Sequence, residues 1–299
     1  MLPSPAARSY RQYLFVTKGV ALAYAMPVSP TVAHAELAMI CPNPQGSGEY
    51  LAIWRWGQAQ PVPWPRSAPA AAVGALSWSP NGARVAAMVR SATRTNLFTI
   101  NITETLRVTD LAGQRQDTAW SPDGRQIAFA DGPVGRRDIF LVLPTGQGLA
   151  NITPGASDDW APAWSHNGSH LYFVSNRDDP NNADIYRYDM VSEKIERLTT
   201  EAGPDIYPSP SPDGKWIAFL SERSGDLRLY LLETTTYQAR LLFDGAIWTE
   251  RPTWAPDGQW LAFTRKFGGE KAQVYFLHVD TGKLVGGPPD CHWPAWRPQ

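Results

Sequence analysis

Apolar and polar positions alternate along this chain in short runs, and the runs return at a fixed interval. Five of them, Arg84-Val-Ala-Ala-Met88, Gln126-Ile-Ala-Phe129, His170-Leu-Tyr-Phe173, Trp216-Ile-Ala-Phe219 and Trp260-Leu-Ala-Phe263, occupy equivalent places. Aromatic and β-branched side chains at every second position suit a pleated, half-buried surface, so each run predicts a β-strand. A second set follows them: Asn96-Leu-Phe-Thr-Ile100, Asp138-Ile-Phe-Leu-Val142, Asp184-Ile-Tyr-Arg-Tyr188, Leu227-Arg-Leu-Tyr-Leu231 and Gln273-Val-Tyr-Phe-Leu277. A short outer strand then ends the unit, as in Ile195-Glu-Arg-Leu-Thr199 and Ala239-Arg-Leu-Leu242. Outside the N-terminus, no window longer than a few residues carries the period of a helix.

Ahead of each alternating run stands a Trp and a tight turn: Trp78-Ser-Pro-Asn-Gly82, Trp120-Ser-Pro-Asp-Gly124, Trp164-Ser-His-Asn-Gly168 and Trp254-Ala-Pro-Asp-Gly258, with Pro210-Ser-Pro-Asp-Gly214 in the same phase. A sixth start reads Trp296-Arg-Pro-Gln299. Pro presets φ, Asp or Asn accepts bonds from nearby backbone N–H groups, and Gly takes a positive φ freely. Successive starts are 42, 44, 46, 44 and 42 residues apart. A period of about 40–45 residues marks the blades of a β-propeller, each a four-stranded antiparallel sheet. The last start supplies an innermost strand alone, from about Asp290 to Trp296. Glu36-Leu-Ala-Met-Ile-Cys41, Glu49-Tyr-Leu-Ala-Ile-Trp54 and Gln60-Pro-Val-Pro-Trp64 supply the three strands it lacks. The expected fold is therefore all-β: a six-bladed propeller over 36–299, closed 3+1 by a blade shared between the chain ends, which removes open sheet edges.

Residues 1–35 stand outside this pattern. Arg8, Arg11 and Lys18 precede the apolar stretch Gly19-Val-Ala-Leu-Ala-Tyr-Ala-Met26, and Ala33-His-Ala35 has the small-x-small form of a cleavage site. The segment reads as a signal peptide, the alternative being a disordered tail, and an exported, periplasmic protein is expected. Removing it takes three of the 27 basic residues and none of the 28 acidic ones, which leaves a mildly acidic domain. No other apolar run approaches the length of a transmembrane span. The two cysteines test export. Superposing the shared blade on the one at Trp254 puts Cys41 and Cys291 on directly opposed positions of neighbouring strands. A disulfide between them is expected, two free buried thiols being the alternative.

Repeats that combine Trp-Ser-Pro-Asp-Gly, a following Ile-Ala-Phe, an Asp-Ile-Tyr and an Arg-Leu-Thr resemble the propeller repeats of TolB. TolB is the periplasmic component of the Tol–Pal envelope system, and similar repeats occur in the propellers of prolyl-oligopeptidase-type peptidases. The resemblance covers about 36–299 and is strongest over 158–265. It implies the fold firmly and the function weakly, because such repeats serve unrelated proteins. TolB carries an α/β domain before its propeller, whereas here the first strands follow closely on the cleavage-like site.

Enzymatic signals are sparse. No Gly-x-Ser-x-Gly elbow occurs, the five His are scattered, and phosphate-binding loops are absent, so neither catalysis nor a cofactor is expected. Chemistry concentrates instead where loops lead into the innermost strands, since side chains of all blades converge at that mouth of the channel. Asp117, Asp158, Asp159, Asp205, Glu250, Asp290 and His292 stand there, interleaved with Trp160, Tyr207, Trp248 and Trp293. Such a rim suits a basic or amphipathic peptide or a stacked sugar, while the competing reading is that these Asp cap turns between blades. An acidic rim disfavours nucleic acid. The leading expectation is an exported, non-catalytic, monomeric propeller that presents its mouth to an envelope protein or peptide. The runner-up is an enzyme or sensor for a sugar-like ligand using mouth carboxylates, and a plain scaffold for another chain is the third reading.

Overall fold

In four of the repeats the turn after the repeat position is a closed hydrogen-bond net, which is why the strands begin where they do. The Ser121 hydroxyl donates to Asp123 Oδ1 at 2.6 Å and accepts the Gln126 N–H at 2.9 Å, while Asp123 Oδ1 accepts the Arg125 N–H at 3.0 Å. Gly124, at φ 74°, completes the reversal. The same net recurs at Ser79/Asn81, Ser165/Asn167 and Ser211/Asp213. Short polar side chains there satisfy backbone groups that a sharp turn would otherwise strand.

The structure, a computed structural model, describes residues 35–43, 49–56, 58, 60–63, 76–90, 95–101, 103–110, 117–245, 247, 250–265 and 272–298. Residues 1–34, Trp64 and Trp248 lie outside them. Among the described residues there are 24 strands and no helix, arranged as six four-stranded sheets. Neighbouring strands in every sheet run antiparallel. The first blade starts at Ser77–Trp78, the second at Thr118–Trp120, the third at Asp159–Trp164, the fourth at Asp205–Pro210 and the fifth at Thr253–Trp254. The sixth joins His292–Trp296 to Glu36–Pro42, Glu49–Arg55 and Val62–Pro63. This is the six-bladed propeller with 3+1 closure that the repeat arithmetic predicts.

Six separate apolar clusters hold the ring, one at each seam between successive blades. At the seam between third and fourth blades, for example, Tyr172 and Ile185 meet Ile217 and Phe219. At the closing seam, Trp260, Ala262 and Phe276 of the fifth blade meet Leu37, Trp54 and Trp296 of the sixth. Each seam resembles a small sandwich in which both sheets hide one face, so the core is a ring of interfaces rather than one centre. Three of the repeat Trp add a directional bond across the seam. The indole N–H of Trp78 donates to Ala295 O (3.0 Å), that of Trp164 to Ala119 O (3.1 Å) and that of Trp254 to Ser209 O (2.8 Å). In each case the acceptor is the residue just before the repeat position in the preceding blade.

The closure is covalent as well. Cys41 and Cys291 form a disulfide between the two strands that join the chain ends, with Cα atoms 4.3 Å apart and both residues buried. Their strands are in register at Ile40 and His292. Glu36 binds both Arg55 and Arg297, and Arg297 also stacks over Trp78 and donates to Gly82 O.

Candidate functional site in the channel

The innermost strands cross the channel from the lead-in loops to the Trp turns, and they do not cross straight. In the third, fourth and sixth blades the inner strand's register slips near the position three residues before the repeat position. The register slips between Trp160 and Ala163 and again between Ile206 and Ser209. Asp117, Ala161, Tyr207 and Trp293 sit in this place with φ of 24°, 54°, 56° and 53°. Left-handed backbone costs a non-Gly residue on the order of 1 kcal/mol or more, and bulges re-aim side chains. The fifth-blade residue in the same place is Arg251.

Contacts between blades that are not neighbours reveal where these side chains go, because such contacts can form only across the axis. Arg251, from the fifth blade, donates from Nη1 to Thr118 O of the second blade, diametrically opposite, at 3.5 Å. Tyr207 of the fourth blade meets Trp293 of the sixth edge-to-face, with centroids 6.5 Å apart. Asp117 is almost fully buried, and burial raises its carboxyl pKa against the opposing pull of Arg251 and Arg137. Burial likewise raises the Tyr207 phenol, helped by Asp117, and lowers the Arg251 guanidinium. Asp117, Tyr207, Arg251 and Trp293 thus form a plug across the channel.

At the mouth itself the sixth and fifth blades meet through His292. Its Nδ1 lies 3.2 Å from Glu250 Oε1 and its Nε2 lies 2.9 Å from Glu49 Oε1. Glu250 Oε2 also accepts the Trp293 N–H at 2.8 Å. Burial alone would lower the His292 pKa, but the two carboxylates outweigh it and the net shift is upward. An imidazole can donate from both nitrogens only as the cation, so this arrangement selects the protonated ring.

Asp159 and Asp205 have a different setting. Both are fully buried, and each is held by an Arg eighteen residues downstream: Arg177 Nη2 to Asp159 Oδ2 at 2.9 Å, and Arg223 Nη2 to Asp205 Oδ2 at 2.7 Å. The two Arg repeat one another's contacts, with Nε donating to Ser175 or Ser221 and the guanidinium over Phe173 and Tyr186 or over Phe219 and Tyr230. Burial raises the Asp205 carboxyl against these partners. Asp158 pairs through both oxygens with Arg137, whose guanidinium lies 4.8 Å over the Trp160 ring. Burial pushes the Asp158 carboxyl up, but the bonds from Arg137 outweigh it and leave the pKa lowered. Of the residues expected at the mouth, then, Tyr207, Glu250, His292 and Trp293 come together, while Asp159, Asp205 and Asp158 are each committed to an Arg. Trp248 lies outside the described residues. Sequence reasoning missed Arg251 and Glu49. The equal spacing of Asp159–Arg177 and Asp205–Arg223 was the available signal for the ion pairs, and the residue three before each repeat Trp was the signal for Arg251.

Among the described residues, no three or more His, Cys, Asp or Glu groups gather as metal ligands would, and no helix is long and apolar enough to cross a membrane. What the site offers is recognition: aromatic edges, a carboxylate–imidazolium–carboxylate chain and a buried guanidinium.

Comparison with known proteins gives a consistent picture. The TolB beta propeller domain matches residues 71–298. A TolB homolog of Chlorobium luteolum is 32% identical over 123 residues, a stretch that takes in 41% of this chain and 27% of that protein, so the chain matches only about a quarter of that relative's length. The crystal structure of TolB from Acinetobacter baumannii superposes with a TM-score of 0.78 at 19% identity, covering 90% of this chain and 68% of that one. An oligogalacturonate lyase from Vibrio parahaemolyticus shares the fold at a TM-score of 0.54 and 16% identity, covering 78% and 73% of the respective chains.

Proposed function

Because this chain belongs to the TolB beta propeller domain family, we propose that it acts as an exported, non-catalytic binding propeller whose channel mouth takes a protein or peptide partner of the cell envelope. The observation that carries this reading is the convergence of Tyr207, Trp293, Glu250 and His292 from three blades on one rim. Aromatic anchors beside a small number of fixed polar groups are the usual make-up of a binding hot spot. The disulfide at the closure supports an oxidising compartment, where such bonds persist. Of the carboxylates that acid/base catalysis would draw on, Asp159 and Asp205 are occupied by Arg177 and Arg223 and Glu250 by His292 and the Trp293 N–H, which favours binding over chemistry.

The test is affinity capture from an envelope extract with the wild type and with a Tyr207→Ala/Glu250→Gln/Trp293→Ala variant of unchanged melting temperature. The expected result is at least one envelope protein retained by the wild type and reduced about tenfold or more on the variant. Equal retention by both would remove the mouth from the function.

A further inference from the structure

The far end of the channel has its own chemistry. A cavity of 270 Å³ lies where the inner strands run out toward the Trp turns, and residues of all six blades line it. Ser77, Thr118, Ser209 and Thr253 line it together with Trp120 and Trp296. Among the described residues its lining includes no carboxylate, Arg251 is the one fixed charge on the wall, and His166 is the one other titratable group.

That guanidinium is under-used. Nη1 makes a single long bond to Thr118 O, while Nε and Nη2 are buried with no hydrogen-bond acceptor among the described residues. The neighbouring acid, Asp117, whose pKa burial raises against the pull of Arg251 and Arg137, supplies neither of these nitrogens with an acceptor. A buried cation with idle donors is expensive, and such groups call for a partner. Arg presents its N–H groups as a planar fork matched to a carboxylate. One guanidinium balances one carboxylate, whereas a phosphate dianion would leave excess negative charge against the Trp rings. The volume falls just below the range of about 300–1,000 Å³ typical of drug-sized ligands, which limits the occupant to a compact molecule.

We propose that Arg251 anchors a carboxylate here, making the Trp end of the channel a site for small organic acids with a compact apolar body. This site is distinct from the mouth residues Tyr207, Glu250, His292 and Trp293, none of which lines the cavity. Benzoate, its neutral isostere benzamide and inorganic phosphate are suitable probes, read by intrinsic Trp fluorescence and by thermal melting. Benzoate should give a saturable change and a raised melting temperature, benzamide should bind at least tenfold more weakly, and phosphate should not displace benzoate. Arg251→Gln, checked by circular dichroism, should lose benzoate binding about tenfold or more. In the wild type, the Arg251 Nε–H resonance should move on addition of benzoate, a readout that requires no variant. Equal binding of benzoate and benzamide, an unmoved Nε–H signal, full binding by a folded Arg251→Gln protein, or displacement by phosphate would each overturn the assignment.

Discussion

Trp254 works twice, once as volume and once as a donor. Its ring fills the seam between blades, and its indole N–H reaches the preceding blade's backbone. At Trp254 both partners are buried, so the carbonyl of Ser209 has no easy substitute donor. Trp254→Phe keeps an aromatic ring but removes the donor and some volume. It should cost about 1–2 kcal/mol and lower the melting temperature by several degrees in thermal unfolding. An unchanged melting temperature would show the bond to be worth nothing net. The fourth blade has Pro210 in this phase, which has no donor, and its seam with the third blade rests on packing around Tyr172, Phe219 and Tyr230 instead. At this scale the sequence announced which residues repeat, but not which contacts they make. The ion pairs of Asp159 and Asp205 were hidden because their Arg partners sit on the following hairpin, a distance that only folding closes.

Elements show the next layer, and the inner strand of the shared blade is the informative one. It carries the disulfide at Cys291, the doubly bonded His292 and the left-handed Trp293 in consecutive positions. His292 has a folded-state pKa above its ordinary value of 6.5, with Glu250 and Glu49 as the cause once burial is overcome. A raised folded pKa means that its stabilisation is complete below pH 6.5 and is lost as pH climbs through the folded value. Melting temperature should therefore decline as pH rises from about 6 to 8, and His292→Gln should flatten that part of the curve. Parallel curves for the two proteins would exclude His292 as the titrating group. Strand existence was legible from two-residue alternation throughout, and the pairing of Cys41 with Cys291 followed from superposing one blade on another. The bulges were not legible, because a one-residue slip leaves the hydrophobic pattern on either side intact.

For the whole molecule, what matters is that the ring has no hub: stability is distributed over six seams, and each sheet depends on two neighbours. Opening any one seam releases the constraint on the rest, so unfolding should be cooperative even though the repeats are separate. The disulfide fastens the shared sixth blade across a sequence separation of 250. In the chain-entropy account a loop that long contributes up to about 5 kcal/mol. Cys41→Ser/Cys291→Ser, or reduction of the wild type, should lower the denaturation midpoint in guanidinium; a midpoint that does not move would mean the closing contacts suffice alone. Blade number and closure were readable in advance because they are counting problems, set by period and by strand inventory. The plug was not, since it depends on which side chains from opposite blades reach the axis.

The shared blade also fixes an order of events during synthesis. Strands 36–42, 49–55 and 62–63 emerge first, yet the partner that covers their inner edge, His292–Trp296, is made more than 200 residues later. At ribosomal speeds of about 5–20 residues per second, that leaves the early strands waiting for tens of seconds, and through any transport step in between. During that interval they are an unfinished ribbon with greasy faces and a bare backbone edge, and a holding chaperone is the natural companion for such an intermediate.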